Sequence, residues 1–294
     1  MIPSLSTINY ELSTTVTPLL LITGFLGAGK TTLLRSLVSA HRLAGAECDV
    51  ILNDFANAEL DASTLPDGAA SIAAIAASCA CCESFDELVA LCLKAQESRG
   101  KALLIELNGT ADPLPLLEAF TLLEGRLGFF PRWQVGMVDA RSWGKRDAFA
   151  ALERRQIETA THWVLTHAED LTARQIREIT EQVAGVNPHA TRMNAAFFVR
   201  EWLDQIGNGG AHVVPEAGEL EPTHRHAHSH ADDEVHRLSH RFTGVLVPLP
   251  EHPLPRALAD DLLASLPAGV VRAKALVRLA EEMPRFARHD SFRW

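Results

Sequence analysis

Gly24, Gly29, Lys30 and Thr31 stand in the spacing G-x-x-x-x-G-K-T, a set of residue types suited to holding a polyphosphate. Glycines at 24, 27 and 29 let successive backbone N–H groups turn inward around an anion, and a helix starting there adds its positive end. Lys30 brings a charge to the β and γ phosphates, and the Thr31 hydroxyl is the hard oxygen that Mg²⁺ takes as a ligand. Gly24, Gly27, Ala28, Gly29, Lys30, Thr31 and Thr32 are therefore the expected nucleotide-binding run. A second run, Glu106-Leu107-Asn108-Gly109, ends an apolar stretch in a carboxylate. A Glu so placed holds Mg²⁺ through water, and the Gly109 N–H can donate to a γ-phosphate and register its loss. Lys30, Thr31 and Glu106 are the expected catalytic residues.

Two further clusters are suited to softer metals. In Cys79-x-Cys81-Cys82, thiolates two residues apart can grip one cation, and the adjacent third can swing in. Zinc is the default ion, and three thiolates leave one tetrahedral position for a mobile ligand. The competing reading is that small cysteines merely pack, which suits the isolated Cys48 and Cys92. His224, His226, His228 and His230 repeat at every second position, fitting weak metal capture or a solvated low-complexity linker. In Thr166-His167-Ala168-Glu169-Asp170, Asp170 could accept from guanine N1–H and N2–H as the Asp of an Asn-Lys-x-Asp motif does. It could equally cap the helix that follows.

These residues need elements to place them. An apolar run at 19–22 reads as a buried strand, and a helical pattern begins at Thr32, so the glycine spacing sits between strand and helix as a P-loop does. A strand over 48–53 delivers Asn53, Asp54 and Phe55 to the same sheet edge. Residues 63–68 read as a surface excursion, 86–96 as an amphipathic helix, and 101–106 as a buried strand. Helices over 114–123, 148–159 and 173–183 alternate with strands over 133–138 and 162–165. The pattern predicts an α/β fold: a parallel sheet with helices on both faces. After a glycine break at 207–210 the chain turns rich in Pro, Glu and His. A strand over 242–249 and a helix over 255–266 then suggest a small α+β unit. The expected division is a lead at 1–17, a nucleotide domain at 18–206, a His-rich linker at 207–236 and a small C-terminal domain at 237–294.

With 294 residues, 47% of them apolar, the chain can build a substantial core. A net charge of −10 without a basic block argues against a nucleic-acid or anionic-membrane partner. No apolar run approaches a membrane span, and the N-terminus lacks the basic and apolar regions of a secretory signal. Five cysteines, an odd number with three nearly contiguous, suit a reducing cytoplasm better than a disulfide framework.

Taken in order, GFLGAGKTTLL, the Cys-x-Cys-Cys loop, ELNGTADP and the downstream His-rich segment resemble the CobW-type metallochaperone GTPases. The resemblance implies GTP hydrolysis with Mg²⁺ at the P-loop, Zn²⁺ or Co²⁺ on the cysteine loop, and a C-terminal domain that responds to nucleotide. It also implies a client metalloprotein as partner, with a nucleotide- or metal-dependent dimer as a further expectation. Asn53-Asp54-Phe55 matches the family's Asn-Glu-Phe-Gly switch, so Asp54 carries that carboxylate as a Mg²⁺ or switch residue. Three departures stand out: Ser78 in place of a glycine, the missing Asn and Lys before Asp170, and a short C-terminal part in which Val271-Arg272-Ala273-Lys274 matches a late element. Two other classes fit part of the chain. A small-molecule kinase would use the same P-loop with a mobile lid drawn from Arg141, Arg146, Arg154 and Arg155. A passive metal buffer would use the cysteines and histidines alone.

Overall fold

The computed structural model describes residues 17–53, 58–75, 85–123 and 128–207, and in the C-terminal part 247, 249, 252–267, 273–277, 279–280 and 285–289. The first part runs β1 (Thr17–Gly24), α1 (Lys30–Leu43), β2 (Cys48–Asn53), α2 (Ala58–Ala62), β3 (Ala69–Ile75), α3 (Phe85–Gln96) and β4 (Leu103–Glu106). It continues with α4 (Leu114–Leu122), β5 (Phe129–Asp139), α5 (Ala150–Glu158), β6 (His162–Thr166), α6 (Ala173–Val186), β7 (Thr191–Met193) and α7 (Ala195–Gly207).

The strands form one seven-stranded sheet in the order β3-β2-β4-β1-β5-β6-β7, every pair parallel. Central strands of such a sheet are covered on both faces, so they read as unbroken apolar runs. Successive residues point to opposite sides. Leu20, Ile22, Val50, Leu52 and Leu104 pack with Leu34, Leu37 and Trp202 on the face bearing α1 and α7. Leu19, Leu21, Ile51, Leu103 and Ile105 pack with Leu88, Leu116 and Phe120 on the other. Within α1 the buried side chains Leu33, Leu34, Leu37, Val38 and His41 recur at helical spacing. Each apolar one contributes about 1.5–3 kcal/mol through burial. The register aligns Ile22 and Leu52 with Glu106. The C-terminal ends of β1, β2 and β4 therefore share one edge, where open α/β sheets bind ligands.

The expected parallel α/β architecture is the one observed, with differences in detail. β3 extends the sheet beyond the excursion read at 63–68; its seven small or β-branched residues give only a half-buried edge strand. β5 begins at Phe129 rather than near 133, and Pro131 falls opposite a register irregularity between Thr17 and Leu19. A 3₁₀ turn (Asp147–Phe149) leads into α5. β7 and α7 complete the far side. The C-terminal described part contains α8 (Arg256–Ala264) and an antiparallel pair, β8 (Ala273–Val277) with β9 (Arg285–His289). Leu254, Ala259 and Val277 form its own small core, in keeping with an α+β unit. Among the described residues no helix is long and apolar enough to cross a membrane.

Candidate functional site

The turn from β1 to α1 is a glycine cradle built by close approach. Gly24 has φ 131, and a Cβ there would lie 2.5 Å from the Met137 carbonyl oxygen. Only glycine lets β1 leave the sheet alongside β5 at this point. Gly29 (φ 93) turns the chain into α1, and the Ala28 N–H donates to the Phe25 carbonyl over 3.1 Å, closing the loop. The first turn of α1 carries no acidic residue and no side-chain cap, which leaves its N–H dipoles to a bound anion. Lys30 folds back over the loop, its Nζ donating to the carbonyls of Gly24 at 2.9 Å and Phe25 at 3.3 Å.

Thr31 and Glu106 meet at this edge. The Thr31 hydroxyl donates to Glu106 Oε1 over 2.8 Å, and both residues are buried. Two hard oxygens side by side, next to a cradle for phosphates, fit Mg²⁺, which takes a few protein oxygens and keeps several waters. Mg²⁺ bound there would supply Lewis-acid polarisation of the phosphoryl oxygens.

The stretch after Glu106 is buried through Pro113 and held at each step. Leu107 N–H continues the sheet to the Ile22 carbonyl. Asn108 Oδ1 accepts from the Thr110 N–H at 3.0 Å and its hydroxyl at 3.2 Å, and Asp112 Oδ1 accepts from the Leu114 N–H at the start of α4. Gly109 lies against the P-loop: a Cβ would come within 2.7 Å of the Leu26 nitrogen. From α5, Gln156 Nε2 donates to the Gly109 carbonyl at 3.1 Å and the Ala111 carbonyl at 3.0 Å.

A buried ion-pair network backs the cradle. Arg146 Nε bonds Glu153 Oε1 at 3.0 Å, one Nη lies 3.7 Å from Asp139 Oδ2, and the guanidinium sits 4.3 Å above the Phe25 ring. Burial raises the Glu153 carboxyl above its usual range despite Arg146. For Asp139 burial also pushes upward, but donors from Arg141 and Ser142 outweigh it and leave the group lowered. Arg141 and Arg146 are thus structural partners of Asp139, and Arg155 pairs with Glu158 on α5. That arrangement is at odds with a mobile arginine lid drawn from these residues.

At the opposite end of the loop, Thr166 Oγ1 donates to the Ala28 carbonyl at 3.0 Å, and His167 (φ 54) places Nε2 3.0 Å from the Gly27 carbonyl. Glu169 and Asp170 are exposed in the turn before α6, whose N-terminus is capped by Thr172 and Gln175 rather than by Asp170. Of the remaining expected site residues, Asp54, the cysteines 79, 81 and 82, and the histidines 224, 226, 228 and 230 lie outside the described residues. Among the described residues no group of three His, Cys, Asp or Glu side chains is placed to hold a metal. Cys48 and Cys92 are buried, and burial drives both thiols up to about 12, so they stay protonated and pack as read. Gln156 had no place in the sequence reading, and Arg146 entered it only as a lid candidate; both make contacts visible only in the fold. Asn53, fully buried beside the site, has no hydrogen-bond partner for either amide atom among the described residues.

Residues 18–194 match the family model described as CobW/HypB/UreG, nucleotide-binding domain. The chain is similar to the zinc chaperone YjiA of Escherichia coli (strain K12), 29% identical over 185 residues, covering 58% of this chain and 54% of that one. It is similar to the zinc chaperone CobW of Pseudomonas aeruginosa, 27% identical over 210 residues, covering 60% and 55%. A third relative is the zinc-regulated GTPase metalloprotein activator 1 of Dictyostelium discoideum, 29% identical over 146 residues, covering 43% and 30%. The chain therefore spans about half the length, or less, of these relatives. Among solved structures, Zn(II)-bound YjiA GTPase from E. coli aligns over 93% of this chain and 90% of that one, with a TM-score of 0.45 and 17% identity. The family match spans more than half of the 294 residues and covers the cradle, Thr31, Glu106 and the Gly109 loop: the chain belongs to the CobW/HypB/UreG family of nucleotide-binding domains.

Proposed function

We propose that this protein is a GTP-hydrolysing metallochaperone that carries zinc, or a related divalent metal such as cobalt, and couples the metal to its nucleotide state. The observation that carries the reading is the Thr31–Glu106 pair beside a glycine cradle. It serves phosphoryl chemistry and nothing that passive metal storage needs. Lys30 swings from the Gly24 and Phe25 carbonyls onto the β and γ phosphates; Thr31 and Glu106 hold Mg²⁺, Glu106 through water; the Gly109 N–H reports on the γ-phosphate. Asp170 reads guanine. The names of the relatives, zinc chaperones and a zinc-regulated GTPase, support zinc as cargo.

Cys79, Cys81 and Cys82 bind the transferred metal, Asp54 serves as the switch carboxylate, and His224, His226, His228 and His230 add weak capture. β3 runs parallel to β2 and ends with Ile75 opposite Asn53, four positions before Cys79 in the chain, which supports a metal site near the proposed nucleotide edge. The nucleotide domain spans 18–206, the linker 207–236 and the C-terminal domain 237–294, and the metal passes to a client metalloprotein in the cytoplasm. A nucleotide- or metal-dependent dimer belongs to the same reading. The test is phosphate release from GTP by the purified chain with and without zinc and with no added acceptor. Phosphate release that depends on Lys30 supports the reading; GDP formed without free phosphate, and only once a small-molecule acceptor is added, supports a kinase instead.

A further inference from the structure

Gln156 is a side chain with no part in binding nucleotide directly, yet it reaches the part of the site that must respond to it. It is 1% exposed, and its amide nitrogen spends both hydrogens on the Gly109 and Ala111 carbonyls. Its Oε1 has no partner among the described residues. The reverse amide orientation would set Oε1 against two carbonyl oxygens, so the hydrogen-bond chemistry fixes the one seen. The Gln156 backbone is equally committed. Its carbonyl accepts from Gln134 Nε2 at 3.1 Å and from the Thr23 hydroxyl at 3.4 Å, and Gln134 Nε2 also bonds Thr23 and Thr159. Thr23 is the residue before the cradle. A Cβ on Gly136 would lie 2.5 Å from Ile157, which shows how closely α5 is seated on β5.

The other end of this linkage is Gly109. Its carbonyl is pinned by Gln156, while its N–H makes no hydrogen bond among the described residues, and its Cα lies against the Leu26 backbone. The open N–H shares its peptide plane with the Asn108 carbonyl, which accepts from the Ala111 N–H at 3.0 Å, so one turn joins 108 to 111. Holding the Gly109 and Ala111 carbonyls of that turn on one rigid donor holds the turn, and with it the direction of the open N–H. We infer that Gln156 is a positioning residue that holds the Gly109 loop ready for the γ-phosphate and so sets the protein's preference for nucleoside triphosphate over diphosphate. This inference rests on the reading of Gly109 as γ-phosphate sensor given above. A group that favours one loop position shifts the state ratio only through the bonds it makes in that position. The effect therefore falls on the triphosphate and spares the diphosphate.

The test uses the full chain with Mg²⁺, titrated with GDP and with a non-hydrolysable GTP analogue. Gln156→Met keeps the volume and removes both bonds. It is expected to lower analogue affinity about tenfold, the factor one ordinary hydrogen bond confers, with GDP affinity within about twofold of wild type. Gln156→Glu supplies a second reading that packing alone does not move. Ionised, it faces two carbonyls and gives the same loss; protonated, it donates one hydrogen bond. Its analogue-to-GDP affinity ratio should therefore rise as pH falls from 8 to 6 relative to wild type. An unchanged ratio in Gln156→Met, or equal losses for both nucleotides, overturns the inference. If Gln156→Met does not fold, a pH-independent ratio in Gln156→Glu overturns it instead. Wild-type protein that binds neither nucleotide sinks the proposed function, a distinct outcome from bound nucleotides with an unaltered ratio.

Discussion

The hydroxyl of Thr31 and the carboxylate of Glu106 lie 2.8 Å apart although 75 positions separate them in the chain. Neither is placed by its own element alone: α1 brings the threonine, and β4, in register with β1 and β2, brings the glutamate. Glu106→Gln keeps the shape and removes the charge that water ligands of Mg²⁺ would bond. Loss of such an outer partner typically costs about 10–100-fold in metal affinity or activity. Phosphate release measured across a Mg²⁺ series should show that loss and its partial recovery at high Mg²⁺. Wild-type turnover at low Mg²⁺ would remove Glu106 from the metal.

Lys30→Ala should abolish hydrolysis and leave the fold intact. The ammonium bonds the loop carbonyls of Gly24 and Phe25, and the helix it opens is packed by Leu33, Leu34, Leu37 and Val38. Basal turnover of the wild type should fall well below the median enzyme value of about 10 s⁻¹, because among the described residues no arginine or glutamine is evidently placed to orient water. Circular dichroism of the variant beside a phosphate-release assay of both proteins checks the pair. A fast unstimulated wild-type rate contradicts the slow-switch reading.

Asp170→Asn should weaken GTP by about tenfold or more and improve xanthosine triphosphate. An amide can donate to the 2-oxo group of xanthine where the carboxylate accepted from the guanine 2-amino group. The anchor points make the register testable. Counted from His167 on Gly27, the reading acid is Asp170; counted from Thr166 on Ala28, it is Glu169. Competition binding with Glu169→Gln as the companion variant decides it. A loss in Glu169→Gln with none in Asp170→Asn moves the role by one residue.

Histidine 41 makes stability pH-dependent. Its Nδ1 lies 2.7 Å from the Ala46 carbonyl and its Nε2 accepts from the Trp202 indole at 3.1 Å, an arrangement that only neutral imidazole can make. Burial lowers its pKa, and burial does the same to His162. The unfolded chain therefore binds protons first. Stability is fully present above the ordinary imidazole value of about 6.5 and is lost as pH falls from there towards the folded pKa. Urea unfolding between pH 8 and 5 should show this decline, and His41→Gln should lose part of the slope. Trp202→Phe leaves Nε2 buried without a donor and should cost about 1–3 kcal/mol at pH 8. A flat wild-type profile would contradict the assignment.

The sheet's central strands and its ligand edge were legible because their signals are local. β1 and β4 are unbroken apolar runs, and the carboxylate of Glu106 follows one of them directly. β3 was not, since Ala69–Ile75 lies at an edge, carries mostly alanine and lacks the bulk that marks a buried strand. Pro131 hid the first turn of β5, because a residue without an N–H ordinarily argues against a strand interior. The contacts of Gln156 and Arg146 were illegible for another reason. The first acts on Gly109, 47 positions earlier in the chain, and the second stacks on Phe25 across the site, so neither has a local spacing to read.

The most direct measurement is zinc affinity of the full chain, titrated once with GDP and once with a non-hydrolysable GTP analogue. Couplings of about 1–3 kcal/mol between two sites correspond to affinity ratios of about 5- to 150-fold, and linkage requires zinc to change nucleotide affinity by the same factor. A ratio in that range is expected. Replacing Cys81 and Cys82 by serine should abolish it, and replacing His224, His226, His228 and His230 should lower zinc capacity alone. Equal zinc affinities in the two nucleotide states would leave the cradle and the cysteines unconnected, and the coupled metallochaperone reading would fall.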